Sequence, residues 1–589
     1  MNRRHQLSEE QLKMAEELLP SEDQSHGFVK HLYFGHFISS KVMPYPEMDV
    51  DEAERLSVFM EKLRSYMDKH LDPDWIDRHA EIPMDVIHGL GDVGLLGMTV
   101  PTEYGGQDFS QLAYCEAVEE LASRCASTAV FVNAHHSIGL RTILLYGTEK
   151  QRRFWLPDLC SGRKIAAFAL TEKNAGSDIS NIETTARYLP EIDSYEMTGS
   201  KRYITNGSIA DVLTVMAKTE VQTDEGPKWK VSAFLISPEM EGFKIIERSM
   251  EKCGIRGTLT ARLQFDKIIV PSENLIGSKG AGLSIPLSTL NFGRITFGSA
   301  CTGAAKFALK NAIDHSQNRI QFDRPIGSFP MIKKKISRMA ALTYAMDATT
   351  KLTAGTFDRN EDIMLESAIT KVFVSDSLWE IINDTIQIFG GKAFFCNEPY
   401  ERMMRDARLN SIGEGANEVL TNFIGLVGMR DVGLELAGMK DYLSHPGDIL
   451  KGTSILLKNL APICFNPTIP IDRYEINSEL HQLEIYIRRF AKAVKHVLFS
   501  YREGIVDEQL IVERIASMVI SIYTTTAVLI KINHQLVNQI TCGKSLNADL
   551  TTAKYYCILS FENIDNQLAS LFDNSDNELE QLSDLITGI

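Results

Sequence analysis

The pattern of apolar and polar positions divides the chain into helical and strand-rich regions. From Asp51 to about Lys164, apolar residues recur three and four positions apart, which predicts amphipathic helices. Between residues 165 and 277, short segments rich in β-branched and aromatic residues alternate with turn residues, which predicts a compact β domain. The predicted strands are Ile165–Leu170, Tyr195–Thr198, Val212–Ala217, Val231–Ile236, Phe243–Glu247 and Leu263–Val270.

Helical periodicity returns after the β region. It extends over residues 278–428 and again over 475–589, and the looser stretch 429–474, which contains several Gly and Pro residues, is predicted as a linker. The many small residues in Gly298–Ala305 predict that the first of these helices is buried in a bundle. Residues 1–50 show little periodicity and are interpreted as an arm lying on the main body. The predicted fold class is mostly α with a central β domain.

Composition and charge narrow the function classes. The chain has 589 residues and a formal net charge of -16 at pH 7, which argues against nucleic acid as a partner, because phosphate binding calls for a basic surface. Its nine cysteines are scattered singly, without a Cys-x-x-Cys pair, so neither a disulfide framework nor a zinc site is expected. No metal site of any kind is assigned.

Localisation signals are weak. Neither a secretory signal nor a membrane-spanning helix is predicted. Asp448–Leu460 combines apolar residues with two lysines, which fits either a helix resting on a membrane surface or, as the favoured interpretation, a linker helix packed on its own protein. The protein is expected in the mitochondrial matrix or at the inner-membrane surface if its source is eukaryotic, and in the cytoplasm if it is bacterial.

Two motifs are interpreted as structural. Gly89–Gly94 formally matches G-x-G-x-x-G, but the residues before it have a helical pattern, so a turn between helices is predicted and not a dinucleotide site. His135 and His136 are interpreted as packed or capping groups, because no carboxylate cluster lies near them in sequence.

The segment Ser411–Glu418 contains the candidate base. Glu414 has a glycine on either side, so its backbone can bend sharply and approach a flat ligand closely. A carboxylate held in this way suits general base catalysis. These residues alone favour a different interpretation, a loop that starts a helix with Asn417 as its cap. The motifs elsewhere in the chain reverse this and favour Glu414 as a base.

Five further segments resemble motifs of the acyl-CoA dehydrogenase family in order and spacing. They are Phe168–Asp178, Gly199–Gly207, Asn291–Arg294, Asn318–Phe322 and Gln387–Gly391. Together with the Glu414 segment, they identify the chain as similar to the long type of this family, which includes the very-long-chain enzymes and a paralogue linked to respiratory complex I assembly. The resemblance implies that family's fold: a helical N-terminal domain (51–164), a barrel-like middle β domain (165–277) and a helical bundle (278–428). It also implies an additional C-terminal helical domain (475–589).

The resemblance implies an FAD site. Thr171 and its neighbouring main chain would face the isoalloxazine edge, and Tyr203 would form the aromatic wall for which the family normally uses tryptophan. On sequence alone, the first segment is also compatible with a simple turn and the second with a hairpin. The implied cofactor-binding residues are Phe168, Leu170, Thr171, Gly176, Ser177, Tyr203, Ile204, Thr205, Arg319, Gln321, Phe322, Gln387, Gly390, Gly391, Ala416 and Glu418.

Two of these elements imply an assembly. In the family, the Arg319 element and the Gln387–Gly391 element reach the flavin of a neighbouring subunit, so a homodimer is expected. Arg294 is implied beside the catalytic pocket, where a permanent cation biases the base and contacts the acyl-CoA. The implied substrate-binding residues are Ser177, Phe292, Arg294, Gly413 and Gly415.

By the same resemblance, Glu414 is the catalytic base. It would remove the α proton of a long-chain acyl-CoA while FAD takes the β hydride, giving a trans-2-enoyl-CoA, with electrons passed to electron transfer flavoprotein. An acyl-CoA oxidase and a complex I assembly scaffold with secondary catalysis remain as alternatives. Gly413 replaces the usual aromatic residue and Ala416 the usual threonine, and each lost contact costs about 1–3 kcal/mol if uncompensated.

Overall fold

The computed structural model describes residues 26–224, 226–280, 284–444, 462–538 and 544–588, and side chains at 439–444 are outside the description. The predicted Asp448–Leu460 helix and the first half of the predicted arm therefore lie outside the described residues. The rest of the arm forms α1 (Phe28–Phe34), whose Phe28 and Tyr33 are buried in the protein core. This part is an integral core element and not a surface covering.

The N-terminal region is helical, as its periodicity predicts. Its helices are α2 (Val50–His70), α3 (Pro73–His79), α4 (Met84–Val93), α5 (Gln111–Ala122), α6 (Ala126–Val132), α7 (Arg141–Tyr146) and α8 (Glu149–Cys160). Side-chain caps begin several of them: Ser110 accepts from the backbone of α5, and Thr148 forms a capping box with Gln151 at α8. Gly89–Val93 belongs to α4 and only Gly94 forms the turn that ends it, so the predicted turn between helices is wrong for most of this segment. The helix also excludes the strand that a dinucleotide site needs.

A π-helical stretch, Asn133–Leu140, joins α6 to α7. Such wide turns are rare and occur frequently at functional sites. His135 in this stretch is fully buried, accepts from the Ala166 N–H through Nδ1 at 3.0 Å, and donates through Nε2 to the Leu159 carbonyl at 3.0 Å. These contacts confirm its interpretation as a packed group and anchor the π-helical stretch to the β domain.

The middle region forms an eight-stranded sheet. Its strands are β1 (Ala166–Ala169), β2 (Thr185–Leu189), β3 (Ser194–Thr205), β4 (Val212–Thr223), β5 (Gly226–Ile236), β6 (Phe243–Glu247), β7 (Thr260–Pro271) and β8 (Leu275–Ile276). The order is β6-β7-β3-β2-β4-β5-β8, and β1 pairs with β4 in parallel. The sequence pattern did not predict β2 or β8, and of β3 it predicted only Tyr195–Thr198.

Alternation along the strands explains how the sheet is placed. Ala167 and Leu213 face a core shared with β3, β5 and β7, so the sheet curls around one apolar cluster. Their neighbours Ala166 and Val212 face the opposite cluster, which includes Leu159 of α8. The β domain is therefore packed against the N-terminal helices on its outer face.

The remaining chain is a helical bundle extended by further helices. They are α9 (Ser284–Asn318), α10 (Pro330–Asp358), α11 (Met364–Phe389), α12 (Pro399–Arg408), α13 (Asn417–Ser444), α14 (Asn477–Tyr501), α15 (Gln509–Asn538), α16 (Lys544–Ala569) and α17 (Asp576–Thr587). A short hairpin, β9 (Ile320–Gln321) and β10 (Arg324–Pro325), follows α9. Gly303 lies so close to Glu119 of α5 that a Cβ would be 2.1 Å from that residue's carbonyl oxygen, which confirms that α9 is buried.

The C-terminal helices share a core with the bundle. Tyr33 of α1, Leu352 of α10 and Val519 of α15 belong to one apolar cluster. Lys531 of α15 pairs with Asp347 of α10, a contact that also joins the two parts by charge. Among the described helices, α15 is long and apolar enough to cross a membrane, with a mean hydropathy of 1.7 over 18 residues, but 83% of that window is buried inside the protein.

The observed architecture confirms the predicted fold class. Helical regions enclose a central sheet, and an additional set of helices follows the bundle.

Candidate functional site

Glu414 lies on the loop between α12 and α13 with its carboxyl group buried. Its φ is 57° and that of Gly415 is 98°, so two successive left-handed residues turn the chain before α13 begins. Oε1 accepts a hydrogen bond from Asn133 Nδ2 at 2.6 Å. Oε2 is buried and has no hydrogen-bond partner in the described part of the chain. One carboxylate oxygen is thus held and the other is free to accept a proton.

Gly293 of α9 leaves the space that the carboxyl group occupies. A Cβ at this position would be 3.0 Å from Oε2 of Glu414 and 3.2 Å from the side chain of Ile138. At Gly413, in contrast, a Cβ would meet only Leu409, at 3.7 Å. The missing aromatic side chain at Gly413 therefore leaves open space beside the loop.

Burial dominates the electrostatics of the base. It raises the pKa of Glu414 from 4.5 to about 7, against the opposing effects of Lys371, Arg294 and the Asn133 hydrogen bond. A carboxyl group with a pKa near neutrality suits proton transfer at physiological pH.

Lys371 of α11 anchors the backbone of the loop that carries Glu414. Its ammonium group is fully buried and donates to the Gly415 carbonyl at 2.7 Å and to Asn417 Oδ1 at 2.8 Å. Asn417 in turn donates to Asp376 at 2.7 Å. Burial lowers the pKa of Lys371 to about 8, with Glu414 opposing that shift. Asn417 is therefore the first residue of α13 and not the cap before it, and its side chain ties the start of α13 to α11.

Arg294 of α9 is the second cation near the base. It is buried, and its Nε has no hydrogen-bond partner among the described residues. Burial lowers its pKa to about 10, while Glu414 raises it. The neighbouring Phe292 is also buried, with Arg141 over its ring at 4.1 Å and Phe357 edge-on at 4.5 Å. Of the predicted substrate-binding residues on α9, Arg294 is thus the one with an unused donor.

A cavity of about 620 Å³ lies between the N-terminal helices and the bundle. Small and apolar side chains line its interior, among them Ala122, Val130, Phe297, Ala300, Cys301, Ala304, Leu378 and Ala407. Two residues of its lining lie near the groups around the base: the Phe297 ring centroid is 5.8 Å from Lys371 Nζ, and the charge of Glu414 adds to the burial that raises the pKa of Cys301. Exposed Asp68 and Lys310 lie at its edge, so the cavity reaches the surface.

A second cavity, of about 560 Å³, lies behind the loop. Its lining includes Ser411 and Glu418 from the loop and the start of α13, Trp379 of α11, and Gln509 and Glu513 of α15. Glu418, a predicted cofactor-binding residue, is therefore exposed to this space, whereas neighbouring Ala416 is half-buried.

The predicted flavin loop begins where β1 ends. Its Thr171 carbonyl accepts from the Arg202 N–H at 3.0 Å. Glu172 and Lys201 form a buried ion pair at 2.6 Å, which fastens the loop to β3. Phe168, Leu170 and Thr171 are half-buried in this arrangement, and Gly176 and Ser177 are exposed.

On β3, the register against β7 shifts between Lys201 and Ile204, and Tyr203 at this bulge has a φ of 60°. Tyr203 is 56% exposed, whereas Ile204 is buried in the β core and its carbonyl accepts from the Gly207 N–H at 3.0 Å. Thr205 is half-buried beside them. An exposed aromatic face, with open space around Gly176, fits a flat cofactor such as FAD.

The remaining predicted cofactor residues lie at the other end of the bundle. Arg319, Gln321 and Phe322 are on the β9–β10 hairpin, where Phe322 is 87% exposed. Gln387, Gly390 and Gly391 are exposed at the end of α11, and His315 stacks on Phe389 at 4.1 Å to hold the two helix ends together.

These residues are far from the base within one chain. Gly293, beside Glu414, and Asn318, beside Arg319, are separated by 25 residues of continuous helix, which corresponds to about 37 Å. The structure therefore does not bring Arg319 and Glu414 together in one chain.

Sequence reasoning missed two residues at the base. Asn133 gives no local signal, because its contact depends on the π-helical turn and on a partner 281 positions away. Lys371 does give one: a lone lysine within the apolar run Ile369–Phe373 on a buried helix indicates a buried cation with a specific task.

Four family descriptions match successive parts of the chain. "Acyl-CoA dehydrogenase, N-terminal domain" matches residues 53–163, the corresponding middle domain matches 167–268, and the corresponding C-terminal domain matches 280–428. "ACAD9/ACADV, C-terminal domain" matches residues 475–588. The matches follow one another in the order helical, β, helical and helical.

Known proteins resemble the chain over most of its length. The mitochondrial very-long-chain specific acyl-CoA dehydrogenase of Mus musculus is 31% identical over 570 residues, which cover 94% of this chain and 85% of the mouse protein. An acyl-CoA dehydrogenase from Bacillus anthracis, solved with FAD, has a TM-score of 0.77 at 26% identity and 94% coverage of each chain. A chain in the structure "Electron transferring flavoprotein of Acidaminococcus fermentans" has a TM-score of 0.60 at 32% identity, with 65% of this chain and 100% of that one covered.

Proposed function

This chain belongs to the acyl-CoA dehydrogenase family and is an FAD-dependent oxidoreductase, and from this premise we propose that it dehydrogenates long-chain acyl-CoA to trans-2-enoyl-CoA with Glu414 as the base. The observation that carries the proposal is the buried carboxyl group of Glu414, which has one oxygen held and the other unpartnered among the described residues. A cavity lined in part by small apolar side chains lies on the same side of the bundle, with Phe297 and Cys301 in its wall.

Glu414 would act on the α carbon. Its free Oε2 removes the α proton of the thioester, and burial supports this step because the raised pKa makes the carboxylate a stronger base than an exposed one. Arg294 and Lys371 offset part of the negative charge before the proton is taken. FAD, when bound, supplies the acceptor for the β hydride. Thr171, Tyr203 and Thr205 would hold it, with the Glu172–Lys201 ion pair fixing the loop and the strand relative to each other.

The acyl chain would occupy the 620 Å³ cavity. Ala300 and Ala304 lie one turn apart on α9 and face it together with Ala122 and Ala407, so small side chains keep it open. Because the cavity reaches the surface near Asp68 and Lys310, a chain longer than the cavity has a route out. These features support a long-chain substrate.

A homodimer would complete the cofactor site. Arg319 is too far along α9 to reach a flavin beside Glu414 of its own chain, and exposed Phe322, Phe394 and Phe395 at the same end of the bundle offer an apolar surface for a second copy. We expect Arg319→Ala to lower the flavin content of the purified protein while its mass in solution stays that of the parent. A full flavin content in this variant would contradict the shared site.

For the electron acceptor we propose an electron transfer flavoprotein, and the resemblance to a chain in a structure of that name supports it. Reduction of such a flavoprotein without peroxide release is the expected result. Peroxide formed in stoichiometric amounts with air would instead favour an acyl-CoA oxidase. In a eukaryote we expect the protein in mitochondria, as for the mouse relative, and in a bacterium in the cytoplasm.

The decisive experiment is anaerobic. Purified protein is mixed with acyl-CoA thioesters of graded chain length, and flavin bleaching is followed. We expect the fastest bleaching with long chains and none in Glu414→Gln, which keeps its yellow colour. Bleaching at the parent rate in that variant would show that another residue is the base.

A further inference from the structure

Among the described residues, Asn133 donates a hydrogen bond directly to the Glu414 carboxylate. Its Nδ2 donates to Oε1 at 2.6 Å, and its own Oδ1 is buried without a partner in the described ranges. The side chain is 4% exposed. Its amide therefore has no competing interaction, and its donor is committed to the carboxylate.

The π-helical stretch fixes where Asn133 points. His135 ties this stretch to β1 and α8, and Ser137 hydrogen-bonds to Thr296 of α9 at 2.9 Å. Because both anchors lie within four residues of Asn133, its amide is held relative to α9 and to the loop that carries Glu414. A π-helical turn replaces the regular hydrogen bonds of an α-helix, and such turns are frequent at functional sites. Its position beside the base therefore indicates that it serves to place a side chain there.

We propose that Asn133 is a positioning residue for the reaction: its amide holds Oε1 of Glu414 and thereby leaves Oε2 as the atom that accepts the α proton. This inference rests on the proposed role of Glu414 as the base. The other oxygen faces Gly293, where no side chain competes for it.

The charged groups that face Glu414 come from two elements, Lys371 from α11 and Arg294 from α9. The nearby Cys301 of α9 is neutral, because burial raises its pKa. Lys371 donates to the Gly415 carbonyl and to Asn417, and Arg294 donates to Asn291, so in the hydrogen bonds of the described residues both cations are used elsewhere than on the carboxylate. Asn133 is therefore the short-range contact that favours the ionised form of Glu414.

The test replaces Asn133 by leucine, which is similar in size and has no donor. We expect flavin content to be unchanged and the acidic limb of the pH profile for anaerobic flavin reduction to move up by about one pH unit. At a pH on that limb, the variant should then reduce its flavin about tenfold more slowly than the parent. Asn133→Asp, which places a second carboxyl group against the first, should move the limb further in the same direction. Asn566→Leu, the same substitution at an exposed position of α16, is the matched control and should leave the limb in place.

A second readout does not depend on turnover. The infrared carboxyl band that is lost in Glu414→Gln should titrate at higher pH in Asn133→Leu than in the parent. An unmoved band together with an unmoved limb would overturn the positioning role. If Glu414→Gln still bleaches the flavin, Glu414 is not the base. If instead Glu414→Gln does not bleach while the Asn133 variants behave like the parent, Glu414 remains the base and only the positioning role of Asn133 is wrong. Should the leucine variant not fold, Asn133→Ala, which also has no side-chain donor, provides the same comparison.

Discussion

Replacing Glu414 by glutamine removes a buried charge and keeps the shape of the side chain. The glutamine oxygen can still accept from Asn133, so the variant differs from the parent in ionisation. Because burial raises the pKa of Glu414 from 4.5 in the unfolded chain to about 7 in the folded one, the folded state prefers the protonated carboxyl group. Its contribution to stability is fully present below about pH 4.5 and is lost as the pH rises through about 7.

The magnitude follows from the same two values. A shift of about 2.5 units corresponds to about 3 kcal/mol, of which about 2–3 kcal/mol appears between about pH 5 and about pH 8. We therefore expect Glu414→Gln to gain stability relative to the parent across this interval, with the difference in melting temperature growing toward alkaline pH. Such a gain would mean that the ionised carboxylate lowers the free energy of unfolding of the parent, as is common for residues selected for activity.

The assay is thermal unfolding of both proteins in a series of buffers at constant ionic strength. Glu54→Gln is the matched control, because it removes the same charge at an exposed position of α2 and should show no growing difference. A Glu414→Gln curve that runs parallel to the parent from about pH 5 to about pH 8 would refute the reasoning that burial sets the pKa of this group.

Three further substitutions test two contacts around Glu414 and one buried ion-pair cluster. Gly293→Ala puts a Cβ 3.0 Å from Oε2 of Glu414, so flavin reduction should slow at least tenfold with flavin content unchanged, as measured by stopped-flow absorbance. Lys371→Met removes the largest charge that lowers the pKa of Glu414, so the acidic limb of the pH–rate profile should move up. Asp347→Asn removes the buried carboxylate that pairs with Lys531, Lys306 and Lys351, and should destabilise the protein by about 3–5 kcal/mol, measured by denaturant unfolding.

The sequence pattern predicted the elements whose signal is local. Strands such as β4 show alternation and β-branched residues, and α9 carries the small residues of a buried helix, so both were found. In contrast, β2 was missed because Thr185–Leu189 is mostly polar on its exposed face. The full length of β3 was missed because the bulge near Tyr203 breaks its period of two.

The site was predictable only in part, for a related reason. Glu414 stands out because glycines flank it, and Gly415 does adopt the left-handed conformation that this arrangement indicates. The contacts that make it a base are not local. Asn133 is 281 positions away and Lys371 is 44 positions from the carbonyl it binds, so their roles arise from packing and not from the pattern around them.

These long-range contacts explain how a single loop can hold a carboxylate in an apolar environment. Asn133, Gly293 and Lys371 come from three separate elements, and each supplies something different: a donor, an empty volume and an anchor for the backbone. Lys371 binds the loop's carbonyl and not the carboxylate, so the cation moderates the charge of Glu414 without neutralising it by direct contact. A direct ion pair would lower the pKa of Glu414 and weaken the base. The arrangement separates the task of fixing the loop from that of tuning the carboxylate, and this separation is what allows the pKa of a buried acid to remain near neutrality.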